Sequence, residues 1–215
     1  FYIFGVSLSR HILFYTISIL EETELILIVG EWVVKEACKQ IQAWTKSGKN
    51  IKIAVNISPT QLKQPNFVER ITSIIEEYQV STKNLEFEIT ENLLMENIDE
   101  NMEKLQKIRE LGIDISVDDF GTGYSSLAYL KKLPITTLKI DLVFIKNLQI
   151  NNEDKKITEA IISLAKVLNL KTISEGIETA EQLEILKTIN CCEGQGFYFG
   201  RPMPVDEFEN FYLNH

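Results

Sequence analysis

Ile113-Asp114-Ile115-Ser116-Val117-Asp118-Asp119-Phe120-Gly121-Thr122-Gly123-Tyr124-Ser125-Ser126 begins as an apolar run and ends in two adjacent acids and a glycine-rich turn. A strand over Ile113–Asp118 that stops in paired carboxylates places charge at an open edge of a sheet. Adjacent acids repel unless something positive lies between them, and a divalent cation is the usual solution. Asp and Gly are also ordinary turn residues, so this stretch alone admits a solvated turn. The other strand ends decide between the two.

Outward from this stretch, helical and strand periods alternate. Gly30–Thr45 is helical, with Val33, Val34, Ala37, Cys38, Ile41 and Trp44 apolar, and Ile51–Asn56 is a strand. Gln61–Tyr78 reads as one helix and Leu85–Thr90 as a strand. Asp99–Leu111 is a helix capped by Gly112. After the quoted strand come a short helix, Ser125–Lys131, and the strand Thr136–Asp141. Lys155–Leu168 is a helix ended by Asn169, and Lys171–Glu175 a strand. Thr179–Ile189 is a helix opened by the capping box Thr179…Gln182. The last strand lies within Cys192–Phe199, and a closing helix starts near Asp206. This alternation predicts parallel strands with helical crossovers, either a doubly wound sheet or a (β/α)8 barrel.

The polarity of alternate strand positions selects the barrel. Residues two apart share a face: Ala54 with Asn56, Glu86 with Glu88, Ser116 with Asp118, Thr137 with Lys139 and Asp141, Ile173 with Glu175, and Glu193 with Gln195. The opposite parity, as in Leu85, Phe87 and Ile89, is apolar. A sheet covered by helices on both faces would be apolar on both. In a barrel the strand ends converge on one mouth, where active sites of this architecture lie. Six strands are assigned where a closed barrel takes about eight, and Phe1–Leu20 has room for at most two short ones. The expected fold is therefore a single α/β domain over residues 1–215, a TIM-type (β/α)8 barrel incomplete at its N-terminal strands.

Asn56, Glu88, Asp118, Asp119, Lys139, Asp141, Glu175 and Gln195 would all meet at that mouth. Five acids and one lysine need counter-charge. Carboxylate and amide oxygens select Mg²⁺ or Mn²⁺ over softer metals, and an acid shared between two ions fits a two-metal site suited to phosphodiester hydrolysis.

Composition sets outer limits. The 215 residues are 45% hydrophobic and 25% charged, as in an ordinary globular chain. A net charge of −9 argues against a basic face for long nucleic acid, though not against a small anionic ligand met through metal. Cys38, Cys191 and Cys192 lack metal-ligand or disulfide spacing and read as small buried residues of a reducing, cytoplasmic protein. The apolar runs Phe1–Leu8 and Ile12–Leu20 are split by Ser9-Arg10-His11 and are too short to cross a bilayer.

Six ordered motifs carry a family resemblance: Val55-Asn56-Ile57-Ser58, Glu88-Ile89-Thr90-Glu91, Asp118 through Ser126, Thr137-Leu138-Lys139-Ile140-Asp141, Glu175-Gly176-Ile177-Glu178, and Gln195 through Pro202. Together, from about Thr16 to Phe211, the chain resembles the EAL-domain phosphodiesterases, which hydrolyse cyclic di-GMP to linear pGpG. The resemblance implies Asn56, Glu88 and Asp118 on one metal, and Asp118 and Asp119 on the second. It implies Glu175 as a second-metal ligand or general base, and Lys139 as the group that positions the attacking water. Asp141, Glu178 and Gln195 become supporting or substrate contacts, with Glu91 pinning the loop after the paired acids. A homodimer through the Asp119–Ser126 loop region and an upstream sensory or diguanylate cyclase domain are implied in the same way.

The chain departs from the family at its front. The Glu-Ala-Leu motif, source of another metal carboxylate and of a nearby phosphate-binding Arg, is absent. Glu36-Ala37-Cys38 and Glu159-Ala160-Ile161 fall inside amphipathic helices and do not replace it. Thr16–Ile26 is similar to the segment that comes after that motif in the family, with Glu24 where a Gly is usual, and Phe1–Tyr15 is unmatched. Two readings result: a metal-dependent cyclic di-GMP phosphodiesterase, or an impaired domain retained as a cyclic di-GMP receptor. A metal-dependent barrel acting on a sugar phosphate ranks behind both, because no phosphate-cradling glycine motif comes after the last strands.

Overall fold

The computed structural model describes residues 19–91, 93, 98–123 and 127–213. The strands expected within Phe1–Leu20 lie, up to residue 18, outside the described residues; Ile19 and Leu20 open a short helical turn. Ser125 and Ser126, the start of an expected helix, also lie outside them. The chain forms two compact units, one made of residues up to Glu86 together with Arg201 onward, the other of Phe87–Gly200.

The first unit is organised by helix α1, Leu25–Lys46, which buries Ile26, Gly30, Val34, Ala37, Cys38, Ile41 and Trp44 at three- and four-residue spacing. It starts five residues before the expected Gly30, because the unbroken apolar run Leu25–Val29 carries no period to read. Strand β1 is Ile53–Asn56. The helix expected over Gln61–Tyr78 is instead two, α2 (Pro59–Lys63) and α3 (Phe67–Tyr78). Pro65 explains the break, since a proline drives the preceding residue out of the helical region, and Gln64 is extended at ψ 131°. Ser58 and Gln61 form a full capping box on α2. Glu31 of α1 pairs with Lys35 at 2.9 Å and with Arg70 of α3. The closing helix, here α9 (Val205–Leu213), returns to α1. Trp44 Nε1 donates to Glu209 Oε1 at 2.7 Å, and the Trp44 and Phe208 rings are 5.8 Å apart. Strand β2, Leu85–Thr90, matches its expected bounds and crosses from the first unit into the second.

The second unit continues through α4 (Ile98–Glu110), β3 (Asp114–Phe120), α5 (Leu127–Leu130), β4 (Thr137–Ile140), α6 (Leu142–Ile145), α7 (Asn152–Val167), β5 (Lys171–Ser174), α8 (Ala180–Thr188) and β6 (Glu193–Gly194). Strand order in the sheet is β1-β2-β3-β4-β5-β6, the same as the chain order. The pairs β3·β4, β4·β5 and β5·β6 are parallel, with Leu138 opposite Thr172 and Ile173 opposite Glu193. Expected stops are found at Gly112 and Asn169, with φ 90° and 57°, and the Thr179…Gln182 capping box opens α8. Asp141, read as the end of a strand, instead caps α6, its Oδ1 accepting from Val143 N at 2.6 Å. The fold is α/β of the incomplete barrel type, with six strands in the sheet among the described residues. No described helix is long and apolar enough to cross a membrane.

Two expectations about side chains need correction. Glu86, read as one of the polar positions that mark an open strand end, is buried, with Lys52 Nζ 3.4 Å from one carboxylate oxygen. Of the cysteines, Cys38 is buried and its thiol pushed up to about 11 by burial, but Cys192 is exposed and Cys191 intermediate. Strand β6 is only two residues long, so the residue just before it gains little cover.

Gly30 tests the packing of α1. A Cβ there would lie 2.2–2.6 Å from the side-chain amide of Gln61, which is buried and held as the acceptor of Ser58 N at 3.1 Å. Alanine gains roughly 1 kcal/mol of helix propensity over glycine, whereas overpacking costs about 1–3 kcal/mol. The second effect wins because Gln61 cannot leave without uncapping α2. Gly30→Ala is expected to lower stability by about 1–2 kcal/mol in chemical denaturation, and an unchanged or raised midpoint would refute this account.

Candidate active site

The site is built at the C-terminal ends of β2, β3, β4 and β5, around one lysine. Lys139 of β4 is only 2% exposed. Its Nζ lies 2.9 Å from Glu88 Oε1 of β2, 2.9 Å from Asp118 Oδ1 of β3 and 2.7 Å from Glu175 Oε1, one residue beyond β5. Burial alone would lower the pKa of an ammonium. The charges of Glu88, Glu175 and Asp118 outweigh that and hold Lys139 protonated well above the ordinary lysine range. The contact with Asp118 is one of charge: Oδ1 is buried and lacks a hydrogen bond of acceptable angle.

Asp118 and Asp119 are consecutive, and in a regular strand their side chains would point to opposite faces. The register shows how this is avoided. Val117 is opposite Leu138 and Phe120 opposite Ile140, so three steps on β3 match two on β4. The extra residue is a β-bulge, and Asp119 in it has the left-handed φ of 53°. Through the bulge, carboxylate oxygens of Asp118, Asp119 and Glu175 come within 4.8 Å of one another. Sequence reading put both acids at one edge without supplying the mechanism. The available signal was Asp-Asp followed by Gly-Thr-Gly, because Asp tolerates the left-handed region better than most residues.

The turn after the bulge is tied from several sides. Thr122 Oγ1 donates to Asp119 O at 2.8 Å. Glu91, buried just past β2, accepts from Gly121 N at 2.9 Å and Gly123 N at 3.3 Å through Oε2. Such charge-assisted bonds to backbone amides are among the stronger hydrogen bonds. The rest of that loop, from Tyr124 to Ser126, lies outside the described residues.

The remaining sequence candidates are less concentrated. Asp141 lies with its carboxyl close to that of Asp119 and helps raise the Asp119 pKa. Glu178 is exposed, and its N–H donates to Gln182 Oε1 at 2.8 Å in the α8 cap. Gln195 is fixed through its backbone, N–H to Ser174 O at 2.8 Å and O from Ile177 N at 3.0 Å, while its Oε1 is buried with no hydrogen-bond partner. Asn56 ends β1 in the first unit and is exposed.

Electrostatics follow from this crowding. Glu175 is pushed up to about 7, by desolvation first and by Asp118 and Glu88, with Lys139 opposing. Asp119 is also pushed up to about 7, by desolvation, by the hydrogen bond to Asp141 and by the charges of Asp118, Asp141 and Glu175. Three carboxylates on one ammonium, with two more acids beside them, leave an excess of negative charge.

An acid-lysine-acid cluster at successive strand ends lies where folds of the barrel class build their active sites. The EAL domain model matches residues 12–202, and this chain belongs to that family. It is 42% identical over 197 residues to the signaling protein YkoW of Bacillus subtilis, covering 92% of this chain and 25% of the relative. It is 42% identical over 188 residues to the bifunctional diguanylate cyclase/cyclic di-GMP phosphodiesterase MucR of Pseudomonas aeruginosa, covering 87% of this chain and 27% of the relative. The solved PaMucR phosphodiesterase in complex with c-di-GMP superposes with a TM-score of 0.87 at 40% identity, over 89% of this chain and 78% of that one. The chain thus spans about a quarter of the length of these curated relatives.

The raised acids set a pH dependence for the metal-free protein. A carboxyl with folded pKa near 7 holds its proton after the unfolded chain has released it near 4–4.5. Its ionisation therefore opposes folding in full above pH 7, and that opposition fades as pH falls from 7 towards 4.5. In a chelator, the thermal midpoint is expected to rise from pH 8 to pH 6. A midpoint that falls over this interval would contradict the geometry of the cluster.

Proposed function

We propose that this chain is a divalent-metal-dependent phosphodiesterase domain that hydrolyses cyclic di-GMP to linear pGpG. The observation that carries the reading is the cluster of Asp118, Asp119 and Glu175 oxygens within 4.8 Å, beside a lysine buried among Glu88, Asp118 and Glu175. The donor set fits a hard cation: all candidates are oxygens, and Asp118 Oδ1 is buried without a hydrogen bond.

Mg²⁺ or Mn²⁺ would be held by Glu88, Asp118, Asp119 and Glu175 of the second unit. When bound, such ions lower the pKa of water and neutralise charge developing on the phosphodiester. The chain's own residues do the rest. Lys139 Nζ, a triple donor with no acceptor capacity, orients the attacking water and keeps its oxygen free for phosphorus. Glu175 accepts the water proton as general base. The new P–O bond forms as one ester P–O bond of the ring breaks, the leaving oxygen takes up a proton, and linear pGpG remains. Asp141 holds Asp119 in place, and Gln195, with an unused buried acceptor, together with Glu178 contacts the substrate. Relatives named as cyclic di-GMP phosphodiesterases, and a similar structure named as a c-di-GMP complex, support this choice of substrate.

The second reading, a receptor that binds cyclic di-GMP without cleaving it, is favoured by one fact: Glu-Ala-Leu does not occur in these 215 residues. A site short of one direct carboxylate binds its cation more weakly, because ligand count sets affinity. Incubation with cyclic di-GMP and Mn²⁺, followed by chromatography for pGpG, separates the two. Product supports the enzyme; binding without product supports the receptor; neither removes both. Asp118→Ala is expected to lower Mn²⁺ affinity by about ten-fold or more, read by titration calorimetry, and unchanged metal uptake would refute the ligand assignment.

A further inference from the structure

Helix α6 touches the β3 bulge at two points. Asp141, its N-cap, has its carboxyl beside that of Asp119, close enough to help raise the Asp119 pKa. Phe144, three residues on, lies against Gly121: a Cβ built at Gly121 would meet Phe144 Cε2 at 2.9 Å and Cζ at 3.3 Å, with Ile161 Cδ1 of α7 at 3.2 Å. Residues i and i+3 share a face of a helix, so one face of this short element meets both Asp119 and Gly121. Both of those residues have positive φ, 53° and 100°. The helix is itself fixed by Val143 N and Phe144 N on Asp141, at 2.6 and 3.2 Å to its side chain and carbonyl.

Two left-handed residues flanking Phe120 are not a conformation the chain adopts without support, since a non-glycine there costs about 1–3 kcal/mol. Glu91 and Thr122 satisfy the polar groups of the turn, but neither occupies volume on the glycine side. The aromatic ring does, and its fit requires that position 121 carry no side chain.

We propose that Phe144 is a positioning residue for Asp119: its ring, seated on Gly121, locks the bulge that turns Asp119 to the side of Asp118. The inference rests on the proposed metal site, and names a residue outside that site on which its geometry depends. Loss of the ring lets Gly121 relax towards ordinary extended backbone, and Asp119 rotates away from Asp118 and Glu175. Asp141 alone does not prevent this, because a contact between two carboxyls does not fix the backbone behind them.

The test compares Phe144→Ala, Phe144→Leu and, as a stability-matched control on α8, Leu186→Ala, a buried residue of the same unit. Mn²⁺ affinity is read by calorimetry. Exchange of the Gly121 and Gly123 amides, both hydrogen-bonded to Glu91, is read by NMR in metal-free protein. Phe144→Ala is expected to weaken Mn²⁺ binding by about ten-fold or more and to speed Gly121 exchange. Phe144→Leu restores part of both, and Leu186→Ala leaves Mn²⁺ affinity within about two-fold. Wild-type affinity in Phe144→Ala, or equal loss in Leu186→Ala, overturns the proposal. If the wild type takes up no Mn²⁺, the proposed metal site falls. The amide exchange then still reports on the ring: unchanged exchange in Phe144→Ala overturns the lock as well.

Discussion

An ammonium group with almost no exposure is tolerable only where carboxylates surround it, and Lys139 is the case on which the rest of the second unit depends. Desolvating a charge costs several kcal/mol even after relaxation. The cost is offset only if Glu88, Asp118 and Glu175 stay within about 3 Å of Nζ. Those three acids come from β2, β3 and the end of β5, so one side chain of β4 fixes the relative heights of four consecutive strand ends. The same arrangement holds Asp118 and Glu175 where they would otherwise repel. Deleting the lysine would leave buried charges uncompensated, which is why a cluster of this kind is fragile to single substitutions.

The second constraint is backbone. Adjacent acids on a regular strand point to opposite faces, yet carboxylate oxygens of Asp118 and Asp119 come together here. The extra residue in β3, with Asp119 left-handed, resolves the conflict at a cost in strain. Glu91 binds the amides beyond the bulge, Thr122 its carbonyl, and α6 its side chain and turn. Strain held from several sides persists, and sites that need two charges aimed together are where it is found.

Membership of the EAL family places this geometry in context, since the residues that converge are those of the family-like motifs. Glu-Ala-Leu does not occur within these 215 residues. Glu88, Asp118, Asp119 and Glu175 remain together within the second unit, which makes cation binding and turnover separable questions for this chain.

Much was legible in the residues themselves. Alternation of helical and strand periods gave the α/β class and most element positions, because burial on one face imposes a period of 3.6 or 2 whatever the tertiary detail. Local chemistry marked Gly112, Asn169 and the Thr179…Gln182 box as stops and starts. It failed where the signal is not periodic: the apolar run before Gly30 hid the start of α1, and Pro65 divided a segment whose apolar spacing looked continuous. The exposure of Cys192 was equally hidden, since it depends on how short β6 is.

Which acids stand at strand ends was therefore set by sequence alone, through the two-residue alternation of a pleated strand. Which of them meet was decided only by tertiary structure. Register across four strands, one inserted residue at Asp119 and the reach of Lys139 from β4 each join groups far apart along the chain, and no local pattern encodes those distances.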